Sequence, residues 1–230
     1  MIGIFDSGSG GIAALKELRK LRKSENVVFL ADRDHAPYGT RSRESILALA
    51  EENITRLVRL GARRVLIACC TASTVHSELP DRVQEISVPI IAPTASFARE
   101  HSASGRIAVI ATEATVRSHA FKRALVGCEV TELAAQRLVG EVEGGARDGN
   151  ISTELGAYLD GLLLPAVRFR ADALILGCTH FPHLEGEIRR SLERLTNEKI
   201  LTVSSALCGA LAMDAALGDE CPEDGATVYL

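Results

Sequence analysis

The sequence predicts an α/β fold built on mostly parallel sheets, and a repeat inside it divides the chain into two related lobes. Two observations carry this. Short apolar runs alternate with helix-length amphipathic segments, as in successive βαβ units. Within that alternation, Arg63-Arg64-Val65-Leu66-Ile67-Ala68-Cys69-Cys70-Thr71 reads like Ala171-Asp172-Ala173-Leu174-Ile175-Leu176-Gly177-Cys178-Thr179. Each is a buried strand running through a small residue into cysteine, then threonine, then a helix. The carboxyl ends of strands are where open α/β sheets place their ligands.

Taken in order, the apolar runs predict strands at Ile2–Phe5, Val27–Leu30, Arg64–Ala68, Pro89–Ile91, Arg106–Ala111, Leu174–Leu176, Lys199–Val203 and Thr227–Tyr229. The amphipathic segments between them predict helices near Gly11–Lys23, Ser42–Leu60, Ala72–Glu85, Thr115–Leu125, Ser152–Phe169, His183–Arg194 and Ala206–Leu217. Ser102–Gly105 and Gly144–Asn150, rich in small and polar residues, read as surface loops.

Composition narrows the function. Of the 230 residues, 47% are hydrophobic and 24% charged, ordinary for a globular chain with an ample core. A net charge of -4 gives no reason to expect nucleic acid or an acidic membrane as partner. Aromatics at 4% and the absence of Trp argue against a stacking surface for bases or sugars. No signal peptide or membrane span is visible, and the six cysteines show no CxxC spacing. A cytoplasmic protein with reduced thiols is expected.

A cysteine after an apolar strand ordinarily fills the core. Cys69 and Cys178 depart from that in three ways. Both sit at strand-to-helix turns, where a thiolate gains from the positive helix terminus. Each has hydroxyl or imidazole company: Thr71 and Ser73, or Thr179 and His180. The two settings also match each other, as two bases facing one carbon from opposite sides require. Cys128, Cys208 and Cys221 lack such settings and read as core or surface thiols.

Asp6 ends the first strand and opens Asp6-Ser7-Gly8-Ser9-Gly10-Gly11. These glycines follow neither the dinucleotide nor the P-loop spacing. A carboxylate there can exchange a proton beside Cys69, and Ser7 can hydrogen-bond a ligand head group. His180 can exchange a proton near neutral pH beside Cys178. Thr112-x-x-Thr115 ahead of a helix, and the loop Ala36-Pro37-Tyr38-Gly39-Thr40, both gather hydroxyls and free backbone N–H groups suited to anions. Together they suggest a small dianionic substrate. The basic run Lys16–Lys23 reads as a solvated helix face, and no lysine stands at a strand end to anchor pyridoxal phosphate.

With these segments assembled, the chain resembles the glutamate racemases of the aspartate/glutamate racemase superfamily. The resemblance rests on Gly3-Ile4-Phe5-Asp6-Ser7-Gly8-Ser9-Gly10-Gly11, Pro37-Tyr38-Gly39, Ala68-Cys69-Cys70-Thr71-Ala72, Thr112-x-x-Thr115-Val116-x-Ser118 and Gly177-Cys178-Thr179-His180-Phe181-Pro182, in that order. It implies two lobes, 1–93 plus 205–230 and 94–204, with the active site between them and the C-terminal helix returning to the first. It also implies cofactor-free interconversion of L- and D-glutamate, supplying D-glutamate for peptidoglycan. By motif, Cys69 and Cys178 are the two bases, assisted by Asp6 and His180 respectively, and Glu143 falls near an additional acidic residue. Ser7, Pro37, Tyr38, Gly39, Cys70, Thr71, Thr112, Thr115 and Thr179 match substrate-binding positions. No metal is implied, and a homodimer is left open.

The chain departs from the family's pattern at three positions. Cys70 stands where asparagine usually helps hold the substrate's head group, Ala92 where a glutamate usually precedes Pro93, and Ala31 where glycine usually precedes Asp32. Two alternatives therefore stay open: a racemase or isomerase of the same superfamily acting on aspartate or another amino acid, and a catalytically silent binding protein on this fold.

Overall fold

In the computed structural model, which describes residues 1–218 and 225–230, the strands form two wholly parallel sheets. The chain runs β1 (Ile2–Asp6), α1 (Ile12–Leu21), β2 (Val27–Ala31), α2 (Arg43–Arg59), β3 (Arg64–Ile67), α3 (Cys70–Ser73), α4 (Asp81–Gln84) and β4 (Ser87–Pro89). It continues with α5 (Ile91–His101), β5 (Arg106–Ala111), α6 (Glu113–Ser118), α7 (Ala120–Ala124), β6 (Glu129–Ala134), α8 (Gln136–Glu143) and α9 (Thr153–Arg168). It ends with β7 (Ala173–Gly177), α10 (Glu185–Leu195), β8 (Leu201–Ser204), α11 (Ser205–Leu217) and β9 (Thr227–Tyr229). Cys221 lies outside the described residues.

The first sheet has the order β4-β3-β1-β2-β9 and the second β6-β5-β7-β8. Read from its opposite edge the second is β8-β7-β5-β6, so β5, β6, β7 and β8 occupy the places of β1, β2, β3 and β4. The repeat seen around the two cysteines thus extends to the topology of both halves. In each sheet the chain leaves the first strand to one side and returns on the other. This reversal falls between β1 and β3, and again between β5 and β7. Clefts in open α/β sheets form at such switch points.

Both faces of each sheet are covered, which is why the strands read as unbroken apolar runs. Ile54 and Leu57 of α2 close one face of the first sheet with Val65 and Ile67, while Leu15 and Leu18 of α1 with Ala210 and Met213 of α11 close the other. In the second sheet Leu159 and Leu163 of α9 and Ile188 of α10 lie against Leu174 and Leu176, and Ala95 and Ala98 of α5 against Val109 and Ile175. The C-terminal helix α11 therefore packs on α1 of the first sheet and on α5. No described helix is long and apolar enough to cross a membrane.

Several elements differ from expectation. The helix expected over Ala72–Glu85 is interrupted: α3 ends at Ser73, a 3-10 turn spans His76–Glu78, and Pro80 restarts the chain into α4. The helix expected over Thr115–Leu125 breaks at His119, whose φ of 51° is left-handed. Strand β4 lies two residues before its expected place. Strand β6 and helices α5 and α8 were not anticipated; β6 carries Glu129 and Glu132 at a sheet edge, so no continuous apolar run marks it.

The small residue before Cys178 has a packing reason. A methyl group at Gly177 would lie 2.8 Å from Phe121 Cε2 and 2.9 Å from the Ile110 carbonyl oxygen. Neither backbone nor a fully buried ring yields cheaply. Gly177→Ala is expected to destabilise the protein by about 1–3 kcal/mol through overpacking, read as a lower urea midpoint. An unchanged midpoint would show that the second sheet has slack next to Cys178.

Candidate active site

Cys69 follows β3 and caps α3, where its Sγ accepts a hydrogen bond from Ala72 N at 3.4 Å. It also lies 3.3 Å from Ser7 Oγ, which comes from the loop after β1. Cys178 follows β7, and its Sγ lies 3.6 Å from His180 Nδ1. Each sulfur therefore stands at the switch point of its own sheet. Both line one cavity of about 760 Å³. Both are nearly buried, at 4% and 6% exposure. Burial disfavours thiolate in each case. It pushes Cys69 up to about 11, with the charge of Asp6 adding to the rise. Cys178 is likewise held well above the ordinary thiol range by burial and then by the neighbouring Cys70.

Asp6 is fully buried at the end of β1, accepting from Gly8 N at 3.0 Å and from Thr179 Oγ1 at 3.1 Å. Burial raises its pKa against the opposing pull of His180. Its carboxylate thus bonds across to the loop that carries Cys178, and influences Cys69 through charge. His180 Nε2 lies 2.6 Å from Glu143 Oε1, and that same oxygen accepts from Ser9 Oγ at 3.0 Å. Although partial burial opposes ionisation of Glu143, these hydrogen bonds outweigh it and hold the carboxyl below its ordinary value. The loop Asp6–Gly11 is thereby tied to both the Cys178 turn and α8.

Glycine is required in that loop. A methyl group at Gly10 would lie 2.6 Å from Thr179 Oγ1 and 2.7 Å from His180 Nδ1. Any side chain there would push the two lobes apart.

Behind the sulfurs, three buried hydroxyls form a triangle: Thr71 to Thr112 at 2.8 Å, Thr112 to Thr115 at 2.9 Å and Thr71 to Thr115 at 3.2 Å. Thr112 also caps α6, as its position before a helix suggested, accepting from Thr115 N. Beside this cluster, Pro37, Tyr38, Gly39 and Thr40 line the cavity, with Gly39 so close that a methyl group there would lie 2.8 Å from Thr112 Cβ. Tyr38 is fixed by donating its hydroxyl to Asp32 Oδ2 at 2.5 Å, and Asn53 Nδ2 donates to the same oxygen at 3.0 Å. His35 Nδ1 completes the set, 2.7 Å from Asp32 Oδ1. Burial works against the Asp32 charge, yet the bonds from Tyr38, His35 and Asn53 keep its carboxyl below the ordinary range.

Of the residues singled out from sequence, Ser7, Pro37, Tyr38, Gly39, Cys69, Cys70 and Thr71 line the cavity from the first sheet. Thr112, Glu143, Cys178, Thr179 and His180 line it from the second. Asp6 and Thr115 are fully buried, one behind Thr179 and the other behind Thr71 and Thr112. Cys70 packs among Ile90, Ile91 and Cys208, and burial pushes its thiol up. Sequence reasoning passed over the role of Asp32, although it directly follows β2 next to the end of β1. It also passed over Asn53, buried in the C-terminal half of α2, and over Arg33, Gln136, Arg137 and Arg147 at the cavity wall.

Comparison with known proteins agrees with this geometry. Residues 13–212 match the model of the family described as Asp/Glu/Hydantoin racemase. The chain is 39% identical over 197 residues to the glutamate racemase of Desulforudis audaxviator, covering 83% of this chain and 71% of that protein. Its structure is similar to that of glutamate racemase isoform RacE1 from Bacillus anthracis, with a TM-score of 0.89 and 27% identity over all of this chain and 87% of that one. It is also similar to a glutamate racemase from Francisella tularensis solved in complex with D-glutamate, with a TM-score of 0.82 and 25% identity over 99% of this chain and 87% of that one. Matched along most of its length, with its two cysteine turns facing one cleft, the chain belongs to the Asp/Glu/hydantoin racemase family.

Proposed function

We propose that the chain interconverts L- and D-glutamate without a cofactor, Cys69 and Cys178 acting as the two proton-transferring groups. The observation that carries this reading is that two buried thiols from different sheets line a single cavity. One thiolate removes the α-proton, and the opposite thiol delivers a proton to the other face of the carbanion. A single base would tend to return its proton to the same side. A free thiol is far more acidic than an amino-acid α-carbon, so the carbanion needs electrostatic stabilisation. The hydroxyls of Thr71, Thr112 and Thr179 and the backbone N–H groups of the Pro37–Thr40 loop are suited to holding the substrate's carboxylates. Asp6 and His180 tune and recycle the thiols, His180 being oriented by Glu143.

Similarity to glutamate racemases at about two-fifths identity supports the substrate, and with it a role in making D-glutamate for peptidoglycan. The described cysteines are all free thiols, which supports a cytoplasmic setting. Each chain supplies every group named here, so a homodimer would carry two complete sites. The lobes proposed for the chain are 1–93 plus 205–230 and 94–204.

Racemisation of L- and D-glutamate in deuterated water, for wild type, Cys69→Ser and Cys178→Ser, tests the mechanism. Each serine variant is expected to lose inversion by at least about a hundredfold, with exchange surviving from one enantiomer only. Normal turnover in either variant would remove that cysteine from the mechanism. Aspartate belongs in the same panel because Cys70 replaces the asparagine usual in relatives.

The raised thiols also predict a pH profile. With Cys69 at about 11, the substrate-free thiol is protonated at neutrality. The kcat/KM should therefore climb with pH, with a slope of about one logarithm per unit from pH ~7 to ~9. A plateau by pH 8 would mean that a thiolate is already present in the empty enzyme. Stability runs the opposite way. A thiol titrating near 9.0 when unfolded and about 11 when folded contributes stability that is present below pH 9 and lost as pH rises toward 11. The thermal midpoint should fall over that window, and a midpoint flat through it would contradict the assignment.

A further inference from the structure

A second, smaller cavity of about 140 Å³ shares no lining residue with the one that holds the sulfurs. Arg41, Arg43 and Thr74 line it from segments packed with the first sheet, and Arg117 and Ser118 line it from α6, beside the second. Three of its lining residues are thus arginines, and none is acidic. Arg43 pairs with Glu78, Nε to Oε2 at 3.1 Å, and Arg117 with Glu113 at 3.7 Å, both pairs being solvent-exposed. Exposed pairs of this kind hold loosely. Glu44, in the first turn of α2, is engaged with its own backbone N–H and with Ser42. Arg41 is half-buried, and its Nε donates to the His35 carbonyl oxygen. Its two terminal nitrogens have no carboxylate within ion-pair distance among the described residues.

Two hydrogen bonds join this cavity to the threonine triangle. Thr74 Oγ1 donates to the Thr71 carbonyl oxygen at 2.7 Å, and Ser118 Oγ to that of Thr115 at 2.6 Å. Thr71 and Thr115 are two corners of the triangle, their hydroxyls 3.2 Å apart. With the hydrogens of Thr74 and Ser118 spent on those carbonyls, the guanidiniums are the cavity's side-chain donors. Three cations gathered round one small space repel one another, and an entering anion relieves that repulsion.

We propose that this cavity is a phosphate-binding site, separate from the sulfur-lined cleft, which takes inorganic phosphate or the phosphate group of a small ester and braces the junction of the two sheets. A guanidinium fork matches the paired oxygens of a phosphate, and arginine is favoured where such planar recognition is wanted. The dianion exchanges the loose pairs to Glu78 and Glu113 for bonds from three cations at once. Arg41 and Arg43 belong with the first sheet and Arg117 with the second, so the bound ion fastens one to the other. The site does not depend on the substrate or reaction assigned to the sulfurs.

The test uses the full chain with Arg41→Gln, Arg41→Lys, Arg117→Gln and the Arg41→Gln/Arg117→Gln double variant, all at one ionic strength. Arg82→Gln, exposed and outside both cavities, controls for a simple change in net charge. Arg33→Gln controls for entry of the anion into the large cavity, which Arg33 lines. Calorimetry follows binding of inorganic phosphate and of glycerol phosphate, with chloride as the comparison ion. The thermal midpoint of each variant without phosphate confirms that it folds.

Wild type should bind phosphate with a dissociation constant on the order of 1 mM, and its thermal midpoint should rise as phosphate is added. Each single glutamine variant should weaken binding roughly three- to tenfold and the double variant by more. Arg41→Lys should restore part of the loss. Amide hydrogen exchange across residues 71–74 and 115–118 should slow when phosphate binds, and unchanged exchange would remove the bracing role. Phosphate affinity that survives in the double variant would overturn the proposal. So would an equal loss in Arg33→Gln, which would put the ion in the large cavity, or a midpoint rise matched by chloride. Binding of glycerol phosphate as tight as that of phosphate assigns the site to esters, and binding of phosphate alone assigns it to the free ion. Binding of neither sinks it.

Discussion

The organisation of the molecule depends on bringing two strand ends, from separate sheets, within reach of one small cavity. Each sheet alone offers a cysteine at its switch point, and neither alone has an opposing group. Hydrogen bonds that cross from one sheet to the other make the pairing specific. Thr179 donates to Asp6, Ser9 to Glu143, and Thr71 meets Thr112 and Thr115. These groups are mostly shielded from water, where a lost partner costs the desolvation of the one left behind. The cross-lobe contacts are therefore directional, in contrast with the non-directional packing inside each lobe.

The same burial that sharpens the site makes its sulfurs reluctant to ionise. Desolvation raises both thiols, and Asp6 adds to the rise at Cys69. A protein selecting only for thiolate would have opened the site or placed a cation beside each sulfur. Here the sulfurs are buried, and the groups within hydrogen-bonding reach are Ser7 Oγ and Ala72 N–H at Cys69 and the His180 imidazole at Cys178. Such a setting favours proton exchange with a bound carbon acid over reaction with passing electrophiles.

Much of this was legible in the sequence because the relevant signals are local. A buried parallel strand has to be apolar throughout, so β1, β3, β5 and β7 stand out, and with them the cysteines that follow β3 and β7. The repeat around Cys69 and Cys178 records a shared topology. What stayed hidden depends on contacts distant along the chain. Asp32 gains its meaning from Asn53, 21 residues on, and from Tyr38. Strand β6 was missed because its edge position tolerates Glu129 and Glu132, which hide the apolar pattern. Helix α5 begins at Ile91 with a proline in its first turn, and α8 is short; neither shows a long stripe. Cavity-wall arginines carry no sequence signature, since nothing local separates an arginine facing a cleft from one facing solvent.

The closed triangle of threonine hydroxyls has one further implication. Three hydroxyls in a ring can each give one hydrogen bond and receive one, so the vacant pocket keeps them content without water. An arriving carboxylate gains donors only by breaking that ring, trading old bonds for new. Such an exchange gives little net attraction at the buried end. On the proposed reading, tight grip on the substrate would then come from elsewhere in the cleft, and the end near the sulfurs would let go of its product readily.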